Sequence, residues 1–421
     1  MKNMMDVDEK KIFVYESSSG SSELLGILYV AMNNGREVFS FEYDDLWLKK
    51  SFATLSYDPD LQLYGGRQFL PQGKDIFGMF ADASPDRWGR MLMQRREMLI
   101  AAQDKRRPKK LSESDYLLGV DDRARIGSLR FKLNETGEFL AKDEMATPPW
   151  VLLRKLEQAS VIFENGEENN KKDWFNILVA PGSSLGGARP KATVQDEKGE
   201  LWIAKFPSKH DEYDSGAWEM VVHDLAEMVG LQVPEAKLEK FSERGSTFLL
   251  KRFDREGSNR KHYASAMTVL GKTDGDVGTS YLDIAKFIMT YGSNVQDDLK
   301  ELWQRVAFSM LVGNTDDHLR NHGFLLQNNG WQLSPMFDVN PVPYGDNLSL
   351  LVNETTSLID KDILLGTADY YGWDGIKAEK CLQEMELMVK DNWQKLAKKY
   401  GIKRQAMETM KFAFRTSNFS I

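Results

Sequence analysis

The sequence contains one cysteine, Cys381. This excludes an internal disulfide framework and a multi-cysteine metal site, and it fits a reducing cytoplasm. No apolar run approaches the ~18 residues that a membrane span needs, and the stretch Met1 to Phe13 is too charged for a secretion signal. An excess of positive charge is missing as well. With 55 Lys and Arg against 63 Asp and Glu, the net charge is −8, so no global basic field draws nucleic acid. Internal repeats, low-complexity tracts, the phosphate-loop pattern G-x-x-x-x-G-K-[ST] and the dinucleotide pattern G-x-G-x-x-G are all absent. What is left is an ordinary globular composition, 42% hydrophobic and 28% charged, over 421 residues. That length suits two or more packed units.

The most informative stretch is Gly313-Asn-Thr-Asp-Asp-His-Leu-Arg-Asn321. Before it, Leu299, Leu302, Trp303, Val306, Ala307, Met310 and Leu311 recur at helical spacing, and Gly313 stops the helix. After it, Phe324 to Leu326 and Trp331 to Leu333 read as two strands joined at Asn329-Gly330. A tight hairpin brings its two ends together, so Asn321 and Asp338 are expected side by side, with Asp316 on the feeding loop. A carboxylate, an amide oxygen and a second carboxylate at one mouth suit phosphoryl transfer: one Asp to deprotonate a hydroxyl, an Asn and an Asp to hold magnesium. Protein kinases use the same D-x-x-x-x-N spacing, although here His-Arg does not precede Asp316 and Phe-Gly does not flank Asp338. The competing reading is that Asp and Asn punctuate turns.

Towards the N-terminus, Ile27 to Met32 and Val38 to Tyr43 read as strands joined at Asn33-Asn-Gly35. Ser84 and Pro85 suit the N-cap and first position of a helix running to about Ala102. This helix carries Arg87, Arg90, Arg95 and Arg96, and the basic loop Lys105-Arg-Arg-Pro-Lys-Lys110 follows it. That loop either meets phosphates or an acidic partner, or is simply solvated. Ser112 to Val120 reads as a helix and Ile126 to Leu133 as a strand. Ala141 to Pro149 marks a boundary, Trp150 to Phe163 a helix, and Glu164 to Asp173 a polar, mobile loop.

A second constellation follows. In Pro181-Gly-Ser-Ser-Leu-Gly-Gly-Ala-Arg-Pro-Lys-Ala192, Gly186 and Gly187 let backbone N–H groups approach an anion, and Arg189 and Lys191 add positive charge. Ala192 to Gln195 and Glu200 to Phe206 bracket a hairpin turn. On the second strand Lys205 stands among apolar neighbours, either as a phosphate-binding lysine or as a strand-end lysine that snorkels to water. The helix from about Ser215 to Val229 sets Glu219 on the flank of its apolar face, where it either orients Lys205 or is solvated. Phe248 to Phe253 is a strand, with Lys251 and Phe253 where a kinase-like fold would bind adenine through its backbone. Helices at Tyr281 to Met289, Leu299 to Val312, Ala378 to Val389 and Lys403 to Phe414 fill the C-terminal half.

These motifs, taken together and in order, resemble the HipA family of serine/threonine kinase toxins over nearly the whole chain. The carrying segments are Leu185-Gly-Gly-Ala-Arg-Pro-Lys-Ala192, Trp202-Ile-Ala-Lys-Phe206, Leu250-Lys-Arg-Phe-Asp-Arg255, Thr315-Asp-Asp-His-Leu-Arg-Asn321 and Pro335-Met-Phe-Asp338. Phe80 to Asp86 and Ile126-Gly-Ser-Leu129 are similar to the family's N-terminal region. The resemblance implies an α+β, bilobal protein-kinase-like fold with an extra N-terminal α/β subdomain (10–145) and a kinase domain (146–421). The latter would have an N-lobe to about 255 and a mainly helical C-terminal lobe.

By the same resemblance Asp316 is the catalytic aspartate, Asn321 and Asp338 hold magnesium, and Lys205 binds ATP phosphates with the Gly186-Gly187 loop. Ser184, with Ser183 as fallback, takes the position of an autophosphorylated, self-silencing serine. The implied partners are a protein substrate such as an aminoacyl-tRNA synthetase, and a separately encoded helix-turn-helix antitoxin of the HipB type that links the protein to DNA. No membrane is implied. In two places the chain departs from the family pattern: Lys251 replaces a glutamate at the hinge, and Arg320 replaces a lysine before Asn321. Two other readings stay open on the same scaffold, a small-molecule kinase acting on a sugar, polyol or aminoglycoside, and a non-catalytic corepressor on DNA.

Overall fold

The computed structural model describes residues 9–50, 55–140, 147–166, 178, 187 and 189–415. It divides into two compact units, 1–202 with 254–273 and 203–253 with 274–421, and the chain leaves the first unit inside a strand.

The first unit is built on an antiparallel sheet. Its strands are β1 (Lys10–Glu16), β2 (Glu23–Asn33), β3 (Arg36–Tyr43), β4 (Gln68–Phe69) and β5 (Leu129–Lys132), in the order β4-β3-β2-β1-β5. Asn33 pairs with Arg36, so Asn34 and Gly35 form a two-residue turn, both at positive φ, as an Asn-Gly hairpin requires. Ile12, Val14, Leu28, Phe39 and Phe41 alternate onto the buried face. Strand β5 is shorter than expected because Gly127, at φ +75°, turns the chain and donates its N–H to Asp254.

Helix α1 (Arg87–Gln103) starts two residues later than expected, since Asp86 is its N-cap and accepts from the Gly89 N–H at 2.7 Å. Ser84 is not the cap; its hydroxyl bonds the Phe80 carbonyl instead. Helix α2 (Glu113–Gly119) carries a Ser112–Asp115 capping box. Helix α3 (Leu153–Asn165) runs past Phe163 to a left-handed Gly166, so the polar loop begins later than expected. Residues 167–173 of that loop, and 141–146 of the boundary segment, lie outside the described residues. Strand β6 (Lys191–Gln195) lies wholly within the first unit.

In the second unit, strand β7 (Leu201–Lys205) lies beside β9 (Gly245–Lys251), which pairs with β8 (Ala236–Ser242). Helix α4 (Ser215–Met228) packs on β9. Its N-cap Asp214 serves both elements, accepting from Ala217 N–H and from the Ser246 N–H and hydroxyl. The helix therefore starts at a fixed point on the sheet. Helices α5 (Tyr281–Tyr291), α6 (Val295–Val312), α7 (Gly375–Lys399) and α8 (Arg404–Met410) complete the unit. The α6 residues chosen by periodicity are all buried, none more than 7% exposed.

The hairpin after α6 is β10 (Gly323–Gln327) and β11 (Gly330–Leu333). Gln327 pairs with Gly330, so the turn is Asn328-Asn329 and not Asn329-Gly330. Gly330 is glycine for another reason: a Cβ there would lie 2.6 Å from the Tyr291 carbonyl. Two charged residues of α6 pin the hairpin's exit. Asp298 accepts from the Leu333 N–H at 2.8 Å, and buried Arg305 donates to the Ser334 carbonyl at 2.7 Å.

Burial pushes the Asp298 carboxyl up to about 6. A raised folded-state pKa favours the protonated form, so its stabilising effect is complete below about pH 4 and is lost as pH rises through about 6. Asp298→Asn keeps an acceptor for Leu333 without the charge. Its stability relative to wild type should improve by on the order of 1–2 kcal/mol between about pH 4 and 7. Urea midpoints at both pH values measure this, and a pH-independent difference would contradict it.

Candidate active site around Lys205, Asp316 and Asp338

Lys205 closes β7 among buried residues. Its side chain is only 10% exposed, and Nζ lies 2.5 Å from both Glu219 Oε1 and Asp338 Oδ1. Burial alone would lower the ammonium's pKa, but the facing Asp338 and Glu219 carboxylates outweigh this and hold it above the ordinary lysine value. Lys205 is therefore a charged cation inside the fold, not a lysine reaching for water. Glu219 sits one turn into α4, where the Asp214 cap sets its height against β7.

Asp338 has φ +57°, a left-handed backbone that non-glycine residues adopt at some cost, Asn and Asp least so. Neighbours hold it there. Asn340 Nδ2 donates to Asp338 Oδ1 at 3.2 Å, the Asn340 N–H donates to Asn314 Oδ1, and Asn314 Nδ2 donates to the Ser309 hydroxyl. Before Asp338, the Phe337 ring packs on the Met220, Phe248 and Leu250 cluster and lies 5.5 Å from the Phe253 ring.

The loop after α6 turns at Gly313, where φ is +64° and a Cβ would lie 2.8 Å from the Ala413 carbonyl oxygen. Asp316 is exposed on that loop. Asn321 Nδ2 donates to the Asp316 backbone carbonyl at 3.1 Å, which ties the two positions together and leaves Oδ1 as the Asn321 acceptor. The next residue, Asp317, is buried. It accepts from the Tyr281 hydroxyl at 2.7 Å and the Ser309 hydroxyl at 3.2 Å, and His322 Nε2 lies 2.9 Å from its Oδ1. Burial would raise its pKa, yet His322 and the two hydroxyls bring it below the usual carboxylate value. The anion under the loop anchors α5, α6 and the hairpin entry at one point. Arg320 forms a surface ion pair with Asp274.

One aromatic stack supports both halves of this site. Trp218, next to Glu219, lies 5.9 Å from Phe414, which stacks on Trp393 of α7 at 4.6 Å and 10°. The same C-terminal stretch runs under the loop hinge, where the Arg415 N–H donates to the Leu311 carbonyl at 3.0 Å.

Other expected positions behave differently. The Lys251 N–H is taken by the Glu235 carbonyl at 2.8 Å, extending the sheet, and its ammonium faces Glu235 at 3.8 Å. An adenine contact through that N–H is thereby excluded. Gly187 belongs to the first unit, where its carbonyl accepts from the Trp88 N–H at 3.3 Å. Lys191 is not a free cation of the glycine loop; it pairs with Asp86 at 3.1 Å, both side chains 2% exposed. Gly186, Ser183 and Ser184 lie outside the described residues.

Residues 183–414 match the model of the HipA-like C-terminal domain, more than half of the chain. The chain belongs to the HipA family. A candidate kinase of Haemophilus influenzae is 29% identical over 205 residues, covering 42% of this chain and 59% of the relative. A candidate kinase of Sinorhizobium fredii is 30% identical over 231 residues, covering 46% of this chain and 55% of the relative. The chain thus spans between half and three fifths of the curated relatives it matches. The HipA chain solved in a Shewanella oneidensis complex of HipA, HipB and operator DNA matches with a TM-score of 0.65 at 17% identity, covering 96% of this chain and 95% of that one. At that identity the match shows the fold, which is the α+β, kinase-like HipA fold.

Among the described residues no cluster of three or more His, Cys, Asp or Glu forms a protein-only metal cage. Magnesium with a nucleotide does not need one, because it takes one or two protein oxygens and completes its shell with phosphates and water. The Asn321 amide oxygen, turned outward as its Nδ2 donates to the Asp316 carbonyl, and the Asp338 carboxylate, which accepts from Asn340 Nδ2, fit that role.

Lys205→Met leaves Glu219 as a buried anion beside the half-buried Asp338, with no cation between them. The expected loss is about 3 kcal/mol of unfolding free energy, and adding Glu219→Gln should recover part of it. Urea unfolding of the single and double variants tests this. Midpoints equal to wild type in both would show that the triad contributes no stability.

Proposed function

We propose that this HipA-family protein is a serine/threonine protein kinase that uses magnesium-ATP. The observation that carries the reading is Lys205 held as a cation against both Glu219 and Asp338, with exposed Asp316 tied to Asn321 in the same unit. The kinase designation of the curated relatives supports the same class.

In this reading Lys205 binds the α- and β-phosphates, and its excess of carboxylate partners keeps it protonated for that task. Glu219 keeps the ammonium in place when Asp338 turns to the metal. Asp316 orients the target's hydroxyl and takes its proton while the oxygen bonds to the γ-phosphorus and the bond to the ADP oxygen breaks. Bound magnesium, at Asn321 and Asp338, would supply positive charge against the transferring group. The buried Asp317 anion and the Asn314–Asn340 bridge hold these residues in a preset geometry, which is where most of the rate advantage of such a site arises.

The finer proposals rest on the family. The kinase domain would be 146–421 and the N-terminal subdomain 10–145. Gly186 and Gly187 would line the phosphate loop, with Phe253 and the Lys251 carbonyl beside the adenine. Ser184, or Ser183, would be a self-silencing phosphorylation site. The target would be a cytoplasmic protein such as an aminoacyl-tRNA synthetase. A HipB-type antitoxin is the proposed partner, as in the complex from Shewanella oneidensis, with DNA reached through it.

Phosphatase-treated protein incubated with magnesium-ATP should gain one or more phosphates, mapped to Ser183 or Ser184 by mass spectrometry. Asp316→Gln should gain none, because an exposed side chain is removed and the fold is kept. Incorporation equal in both proteins would assign the activity to a contaminant, and none in either would refute autophosphorylation.

A further inference from the structure

Only three described non-glycine residues have positive φ: Asn34, Lys105 and Asp338. Asn34 sits in a hairpin turn that demands it, and Asp338 belongs to the active site. Lys105 remains. It stands where helix α1 ends, at φ +52°, a position that favours glycine and disfavours a long side chain. The Arg106 N–H returns to the Ala101 carbonyl at 2.9 Å, so the end is a closed cap with a lysine as its pivot.

The loop beyond this cap is held in place as well. Glu97 grips Arg106 through two hydrogen bonds of 2.6 and 3.1 Å and accepts from the Lys109 backbone N–H at 2.6 Å. These donors, Arg106 first, hold the Glu97 carboxyl down at about 2, so the clamp keeps its charge at any physiological pH. Lys109 in turn pairs with Asp115 at 2.8 Å. The clamp thus uses Arg106 and Lys109 to shape the loop. Arg96, Lys105, Arg107 and Lys110 are left exposed, with no ion-pair partner among the described residues. From Arg87 to Lys110 there are nine basic residues and two acidic ones, in a chain whose net charge is −8.

We infer that this loop is a binding surface for the phosphodiester backbone of nucleic acid, contacted by this chain directly and independently of any antitoxin. Every residue from Ala102 to Lys110 is exposed, so the loop offers no pocket for the apolar side chains of a peptide. It offers closely spaced cations on a backbone that Glu97 holds in shape, which suit the dense charge of a duplex and carry no base-specific reading. A strained lysine at a helix end is a costly way to place a charge that only meets water.

The test is fluorescence anisotropy of a labelled mixed-sequence duplex of about 30 base pairs with the full chain alone, between about 50 and 200 mM salt. Wild type should bind with an affinity that falls steeply with salt. Replacing Lys105, Arg107 and Lys110 by Gln should flatten the log–log salt slope by about 2.7, three contacts at about 0.9 each, and weaken binding more than about tenfold near 100 mM. The substituted side chains are exposed, so thermal unfolding should stay within a few degrees of wild type. Three results overturn the inference: no duplex binding at the lowest salt, a triple variant with unchanged slope, or a poly-glutamate competitor that binds this loop while duplex does not. A fall in melting temperature with unchanged binding would assign these charges to the helix C-terminus instead.

Discussion

A single ammonium group in a low-dielectric setting holds the second unit's chemistry together. Lys205 comes from a strand, Glu219 from a helix and Asp338 from the exit of a hairpin, and their meeting is what makes Lys205 and Glu219 tolerable as buried charges. Each arrives by its own device. Asp214 fixes the start of α4 on β9, Asp298 and Arg305 pin the end of β11, and the Asn314–Asn340 bridge turns Asp338 back into a left-handed backbone. A group that needs two opposite charges to stay buried also answers when one is withdrawn. For the proposed nucleotide and its metal, that would be a partner already charged and placed.

Much of this was legible in the sequence where the signal is local. Helix α6 follows from seven apolar residues at one periodicity, Gly313 from its place after the last of them, and the hairpin from paired apolar runs. Glycine and asparagine misled where tertiary contact chose the residue. Gly330 is glycine because the end of α5 crowds it, so the turn moved back by one position. Ser84 looked like a cap, but Asp86, two residues closer to the helix, took that role.

The charged residues show the same limit. Lys205 was ambiguous because its partners lie 14 and 133 residues away, beyond any spacing rule. Asp317, His322, Tyr281 and Ser309 went unnoticed since an Asp in Thr-Asp-Asp-His reads as turn punctuation until its burial is known. Lys191 was read as a cation for an anion loop; its buried partner Asp86 lies far back along the chain, at the start of α1, and carried no sign of the pairing.

The stack of Trp218, Trp393 and Phe414 has a consequence for cooperativity. Helix α4, which carries Glu219, and the hinge beneath Asp316 rest on one C-terminal segment, so their positions are not independent variables. If that segment loosens, the cation clamp and the Asp316 loop are disordered in the same event. A ligand that steadies the C-terminal stack through one half then steadies the other half too, because both lean on the same Phe414 and Arg415 contacts.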